Sequence, residues 1–191
     1  MKIVSFDVGE KNFAYSIILK PDDDGNDPMC MAVRAELIIE KVAHHNILKK
    51  KMQTIIESCI IMTEILENII KTLEGEVFSI IIEQQMRTNI RAQKLAQHLW
   101  SYFYLKFGMK DSSFCLKFVP SHLKTQYFLG KNKLDNRARK KWAVTKVHDI
   151  LKKHNTAQNK LILTQIDSLK KQDDICDTIL QSIAFLKICQ N

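Results

Sequence analysis

Apolar and polar side chains alternate along Lys2 to Asp7, KIVSFD, with the two-residue period of a β-strand, and the run stops at the turn Asp7-Val8-Gly9. Asn12 to Leu19 reads as a second strand. Lys20 to Pro28, KPDDDGNDP, has the composition of an exposed turn, and Met31 to Ile39 reads as a third strand, so the chain opens as an antiparallel meander. From Leu48 to Leu73 the apolar positions recur every three or four residues, which predicts a long amphipathic helix ending near Gly75. Val77 to Glu83, VFSIIIE, is a nearly continuous apolar run with charge only at its end, the pattern of a central strand covered on both faces. Thr88 to Phe107 returns to helical spacing, and Phe114 to Val119 forms a fifth strand that Pro120 breaks. Helices at Asn136 to Lys153 and Asp174 to Cys189 complete the order, with a polar stretch from His154 to Lys171 left unassigned.

Length and composition agree with one folded unit. The chain has 191 residues, 46% of them hydrophobic, with five Gly and three Pro and no low-complexity linker, so a single domain spanning 1–191 is expected. Met1 leads straight into the first strand without the regions of a secretory signal, and no apolar run is long enough for a bilayer. A soluble, intracellular protein without a membrane partner is the expectation. Cys30, Cys59, Cys115, Cys176 and Cys189 show neither a disulfide framework nor zinc-site spacing, which reads as reduced packing residues.

The net charge of +8 is unevenly placed. From Lys117 to Lys160 there are twelve Lys or Arg residues against Asp135 and Asp149, so the remainder is slightly acidic. Cations in that density release counterions from a nucleic-acid backbone, although a solvated helix face fits the same charges. Within and beside the tract, Lys131, Lys133, Arg137, Arg139, Lys140 and Lys141 are candidate phosphate contacts, joined by Met86 and Arg87 just past the central strand.

Carboxylates fall where metal-assisted phosphodiester chemistry wants them. Such chemistry needs acids from separate elements to converge on divalent cations about 4 Å apart. Asp7 closes the first strand and Glu83 the fourth. Asp174 and Asp177, three residues apart at a helix start, share a face. Each has a plainer reading. Acids in a first helical turn cap it and complement its dipole, and Asp before Val-Gly suits a turn. Glu83 is harder to assign this way, because a carboxylate closing Ile80-Ile81-Ile82 must reach solvent, a cation or a metal.

Four blocks, Ser5-Phe6-Asp7-Val8-Gly9 with Asn12-Phe13-Ala14, Ile81-Ile82-Glu83-Gln84-Gln85, Pro120-Ser121-His122-Leu123-Lys124 and Asp174-Ile175-Cys176-Asp177, resemble in order and spacing the motifs of RuvC-type Holliday junction resolvases, the poxvirus members most closely. The element order is likewise similar to the ribonuclease H-like α/β fold, a five-stranded mixed sheet flanked by helices. This resemblance implies a structure-selective endonuclease that resolves four-way junctions by symmetric cuts in two strands. It implies Asp7, Glu83, Asp174 and Asp177 as ligands of two Mg²⁺ ions, with Mn²⁺ a substitute, and a homodimer on branched DNA. Lys124 takes the place of an active-site lysine that stabilises charge on the scissile phosphate, with Lys141 a second candidate. Action in the cytoplasm of an infected cell follows if the source is viral. Met86 stands where bacterial members commonly carry an aromatic wedge, and Asp173 leaves the ligand assignment open by one residue.

Other signals are set aside. The Asp22 to Asp27 run lacks ligands at the first and last positions of a calcium loop. The six histidines show no metal-pair spacing and are assigned to surface or core, with His122 the nearest to a motif. Trp100, Tyr102, Phe103 and Tyr104 read as helix core, and the long helix as packed within the chain more than as a dimer seam. Two further function classes stay open on sequence. One is a non-catalytic nucleic-acid-binding module with this fold; the other is an actin-like ATPase domain, which needs two related domains where this chain holds one.

Overall fold

Lys2–Asp7 (β1) and Phe78–Glu83 (β4) run parallel as neighbours, with Ile3, Val4, Ser5 and Phe6 of β1 and Ser79 to Ile82 of β4 all buried. This computed structural model describes residues 1–19, 37–73, 76–111, 114–131 and 134–188. The turn at Lys20 to Pro28, Cys30, Lys133, Cys189, Gly75 and the first part of the expected third strand lie outside them. Phe13–Leu19 (β2) pairs antiparallel with β1, Ile38–His45 (β3) antiparallel with β2, and Leu116–Val119 (β5) parallel with β4, giving the sheet order β3-β2-β1-β4-β5. It is a five-stranded mixed sheet, as the element order implies.

The sheet is covered on both faces, which is why the central strand β4 reads as a nearly unbroken apolar run. On one face Phe6, Phe13, Tyr15 and Ile82 pack against Met62, Leu66 and Ile69 of Ile55–Lys71 (α1) and Leu95, Leu99 and Phe103 of Ile90–Phe103 (α2). On the other, Ala14, Ile18, Ile39 and Val42 meet Ala143, Val147 and Leu151 of Asn136–Lys153 (α4), Ile162 and Ile166 of Ala157–Asp167 (α5), and Ile175, Ile179 and Leu180 of Asp173–Ile188 (α6). A short helix, Leu123–Leu129 (α3), precedes α4 and packs on α6. Helix α6 is buried around most of its girth, including Thr178, Gln181 and Ser182, so it is a core element more than an amphipathic surface helix. The Gln181 Nε2 amide donates to Ser5 Oγ at 3.0 Å, which satisfies two polar groups the packing has dried out.

Five elements differ from their sequence reading. Helix α1 begins at Ile55 because Thr54 and Glu57 form a capping box there, while Gln53 donates to the Ile47 carbonyl and Ser58 and accepts from the Lys49 amide, holding the preceding turn off the helical path. Among the described residues the third strand runs Ile38–His45, past its expected end at Ile39. Its charged Glu40 and Lys41 interrupt the apolar signal and are tolerated because β3 is an edge strand. Helices α3 and α5 were not anticipated; α5 is started by Thr156, whose hydroxyl accepts from Asn159 N. Beyond α2, Tyr104–Gly108 widens into a π-turn, and a Cβ on Gly108 would stand 2.8 Å from the Tyr104 ring. Phe103 is fully buried, as expected, whereas Tyr104 is exposed and stacks on Trp100.

Cys59, Cys115 and Cys176 are free thiols. No helix among the described residues is long and apolar enough to cross a membrane. Leu66 is fully buried beneath the sheet. Leu66→Ala is expected to cost about 2–5 kcal/mol of stability, measured as a lowered urea midpoint at unchanged m-value.

Candidate active site

The register that pairs Phe6 with Ile82 makes Asp7 and Glu83 the next residues of two adjacent parallel strands, at their carboxyl ends and on the face that α6 covers. Into this edge α3 and α6 each send a charge. The Lys124 ammonium, on a side chain only 4% exposed, donates to Glu83 Oε2 at 2.8 Å and lies 3.0 Å from Asp177 Oδ2. Pro120 turns the chain out of β5 into α3, and packing of α3 on α6 brings Lys124 to the acids. Gln85 donates to Asp7 Oδ1 at 3.3 Å.

Crowding of like charges sets the electrostatics. Burial, then the charges of Glu83, Asp177 and Asp174, push the Asp7 carboxyl up to about 8 against the opposing pull of Lys124. Glu83 is raised by burial and by Asp177, with Lys124 and Arg139 working the other way. For Lys124, burial favours the neutral amine, but the Glu83, Asp177 and Asp7 charges outweigh it and hold the ammonium well above its ordinary value. Asp174 is raised by burial and by Asp173, opposed by Lys171, His44 and Lys140. One buried ammonium therefore faces a cluster of carboxylates with negative charge in surplus.

That surplus, carried on hard oxygen donors, suits Mg²⁺ or Mn²⁺ in kind. Asp174 Oδ2 is buried with no hydrogen-bond partner, its nearest cationic group being the Lys171 ammonium at 3.9 Å. The cage is not drawn closed: among the described residues no three His, Cys, Asp or Glu side chains surround one point, and the Lys124 ammonium stands between Glu83 and Asp177. Asp173 is engaged by Lys140, whereas Asp174 is felt by Asp7 and sits 3.4 Å from His44 Nε2. His44 was assigned to surface or core on sequence. Its place follows from the register Asp7 to Ala14 to His44 across three strands, legible only once β3 is placed correctly.

The turn after Asp7 is braced from the far side. Glu10 accepts from Arg91 Nε at 2.7 Å and from Ser58 Oγ at 2.8 Å, and its carbonyl accepts from Ile47 and Leu48 N. These contacts tie the turn to α1 and α2.

The candidate DNA contacts separate into groups. Met86, 72% exposed, and Arg87 follow β4 directly beyond Glu83. Lys131, Arg137, Arg139, Lys140 and Lys141 are exposed after α3 and along the first turns of α4; Lys133 lies outside the described residues. Arg139 is close enough for Glu83 to feel its charge, and Lys140 pairs with Asp173. Lys141 pairs with none of the acids among the described residues. An open cleft of about 630 Å³ between α3 and α4 is lined by His122, Gln126, Lys131 and Arg139 among others.

Two outcomes follow from this electrostatics. Lys124→Ala strands Glu83 and Asp177 without their cation and is expected to cost about 3 kcal/mol at neutral pH, less in acid as Glu83, whose carboxyl burial has raised, takes up a proton. For Asp7 the ordinary value is 3.8 and the folded value about 8, so between them the folded chain keeps a proton that the unfolded chain has lost. Stability is then full at low pH and falls as pH rises toward 8, by at most about 1.4 kcal/mol per unit. Urea melts in chelator should show Asp7→Asn flattening that slope and exceeding the wild type in stability at pH 8.

No protein-family model matches the chain. An uncharacterized protein, 170L of Invertebrate iridescent virus 6, is 27% identical over 225 residues, covering 96% of this chain and 87% of that one. Among solved structures, the fowlpox virus resolvase in complex with its Holliday junction DNA substrate superposes with a TM-score of 0.64 at 17% identity, over 100% of both chains. RuvC of Thermus thermophilus superposes with a TM-score of 0.61 at 8% identity, over 98% of this chain and 96% of that one. What these likenesses share with the chain is the architecture: it has the RuvC-like, ribonuclease H-like fold, with Asp7 and Glu83 at the carboxyl edge of its central strands.

Proposed function

We propose that the chain, acting as one nuclease domain, is a structure-selective DNA endonuclease that resolves four-way junctions by metal-dependent cleavage of two strands. The observation that carries this reading is the gathering of Asp7, Glu83, Asp177 and Lys124, from four separate elements, at one sheet edge. Its support is the fold, shared over the full chain with a fowlpox virus resolvase solved on Holliday junction DNA and with RuvC.

Asp7, Glu83, Asp177 and Asp174 would hold the divalent ions, which when bound supply Lewis-acid activation of water and of the scissile phosphate. The chain's own groups do the rest. Lys124 brings a fixed positive charge, already dehydrated, to where phosphoryl oxygens gain charge in the transition state. Gln85, donating to Asp7, fixes the orientation of that carboxylate. Lys131, Arg137, Arg139, Lys140 and Lys141, with Arg87 in the segment after β4, hold the backbone of the incoming strand, and the α3/α4 cleft gives it a path. Met86 wedges at the branch point as an apolar side chain without the stacking of an aromatic one.

Two such sites must act on one junction, which calls for a homodimer on a nearly twofold substrate. Ile56 and Ile60, 69% and 55% exposed on α1, leave an apolar face on a helix whose other side is packed inward. In a viral setting the substrate is a branched replication intermediate in the infected-cell cytoplasm. A second reading, a nucleic-acid-binding module without catalysis, draws on the same lysine, because Lys124 already neutralises part of the acidic cluster.

Incubated with a labelled four-way junction and Mg²⁺, the protein is expected to give paired nicks that vanish in Asp7→Asn and Glu83→Gln while junction affinity persists. Lys124→Ala should lower the cleavage rate about 10²–10³-fold. Intact junction with the wild type in Mg²⁺ and Mn²⁺ would favour the binding-module reading instead. Ile60→Glu is expected to shift the chain from dimer to monomer in sedimentation and to uncouple the paired cuts.

A further inference from the structure

His44 Nε2 and Asp174 Oδ2 are both buried, both without a hydrogen bond, and 3.4 Å from each other. Their side chains are 18% and 14% exposed. A donated hydrogen bond between an imidazole and a carboxylate closes to about 2.7–2.9 Å, and none forms here. Two atoms that bind one cation at about 2.1 Å each stand about 3.0–3.4 Å apart, so the observed spacing is that of co-ligands. Burying both lone pairs without a shared partner would be costly, which is a reason to expect a cation between them.

The fold places the pair beside the acidic cluster. Asp7, Ala14 and His44 lie opposite one another across β1, β2 and β3, so their side chains leave the sheet on the same face. Ala14, between them, has no bulk to close the gap. Asp174 joins the two ends, because its charge is felt by Asp7 while its carboxylate faces His44. His45, one residue on, faces the opposite side of the sheet and stacks on Tyr15, so the adjacent histidines are not interchangeable. Around Asp174 stand Asp173, held by Lys140, and Lys171, whose ammonium is 3.9 Å away on a half-exposed side chain that can leave.

We infer that His44 is a nitrogen ligand of the divalent-cation site, binding one ion together with Asp174. A nitrogen donor in an otherwise all-oxygen set tilts the site toward Mn²⁺ and later first-row divalent ions relative to Mg²⁺. The ion then ties the edge strand β3 to α6. This inference rests on the proposed metal-dependent activity for its cation but concerns a different residue and element.

The test is Mn²⁺ binding to the full chain, followed by pulsed electron paramagnetic resonance. The wild type is expected to show a nitrogen directly coupled to bound Mn²⁺, with a signal that changes when histidine is isotopically labelled and disappears in His44→Ala. Mn²⁺ affinity should fall about tenfold or more in His44→Ala, while Mg²⁺ affinity changes by less than about threefold. His45→Ala should leave the nitrogen signal in place. Absence of nitrogen coupling in the wild type, or its persistence in His44→Ala, overturns the inference whether or not the variant folds well. Junction cleavage in Mg²⁺ alone reports separately on the proposed activity, so nicked junction without nitrogen coupling removes the His44 assignment only.

Discussion

Holding several carboxylates together in a dry place is the constraint on which the architecture turns. Asp7 and Glu83 are brought together because β1 and β4 are parallel neighbours in register, and a parallel pair ends its strands at the same edge. Every element that approaches this edge must either add to the repulsion or relieve it. Helix α6 adds Asp174 and Asp177; α3 supplies Lys124. The raised Asp7 and Glu83 carboxyls and the strongly held Lys124 proton are two sides of one balance, in which a single ammonium does not match the charge opposite it. A proton kept on Asp7 relieves part of this imbalance, and in the proposed reading a bound cation relieves the rest.

The rest of the molecule is arranged to resist the outward push of that cluster. Helix α6 must stay close to the sheet for its acids to reach β1, and it is held by burial of nearly its whole circumference and by the Gln181 to Ser5 hydrogen bond. Small side chains permit the approach, with Ser5 and Ala14 on the strands and Ser182 and Ala184 on the helix, all fully buried. On the other side, the Glu10–Arg91–Ser58 network pins the turn that follows Asp7 to α1 and α2. The acids are thus mounted on elements anchored from both faces of the sheet, which holds the carboxylates in a fixed arrangement.

Much of this was legible in the sequence because the signals are periodic or terminal. Strands β1 and β4 announce themselves as apolar runs ending in an acid, and Asp174 and Asp177 share a helix face by spacing alone. The parts that stayed hidden are those where tertiary context overrides local pattern. Helix α3 is seven residues long, too short to establish a period, so the burial of Lys124 between Glu83 and Asp177 had no sequence signature beyond the motif that contains it. Helix α5 hides in a polar stretch, because much of its surface faces solvent and only Ile162, Ile166 and Asn159 are deeply buried. Continuation of β3 to His45, beyond its expected end at Ile39, concealed His44, since the face a strand residue takes follows only from its register.

The distribution of charge follows from the same geometry. In the proposed reading, a nucleic acid approaching the acidic edge meets repulsion first, and cations around the edge make the approach favourable. Helices α3 and α4 supply them at graded distance. Lys124 is inside the cluster, Lys140 and Arg139 are in electrostatic contact with its rim, and Lys131, Arg137 and Lys141 are exposed with no acidic partner among the described residues. The inner members are already committed to carboxylates, so a phosphate must compete with Asp173 for Lys140, whereas the outer ones are available without cost. In the proposed reading, binding energy from the outer residues is gained first and draws the backbone toward the inner ones, where the opposing charge is the charge that a bound cation would neutralise.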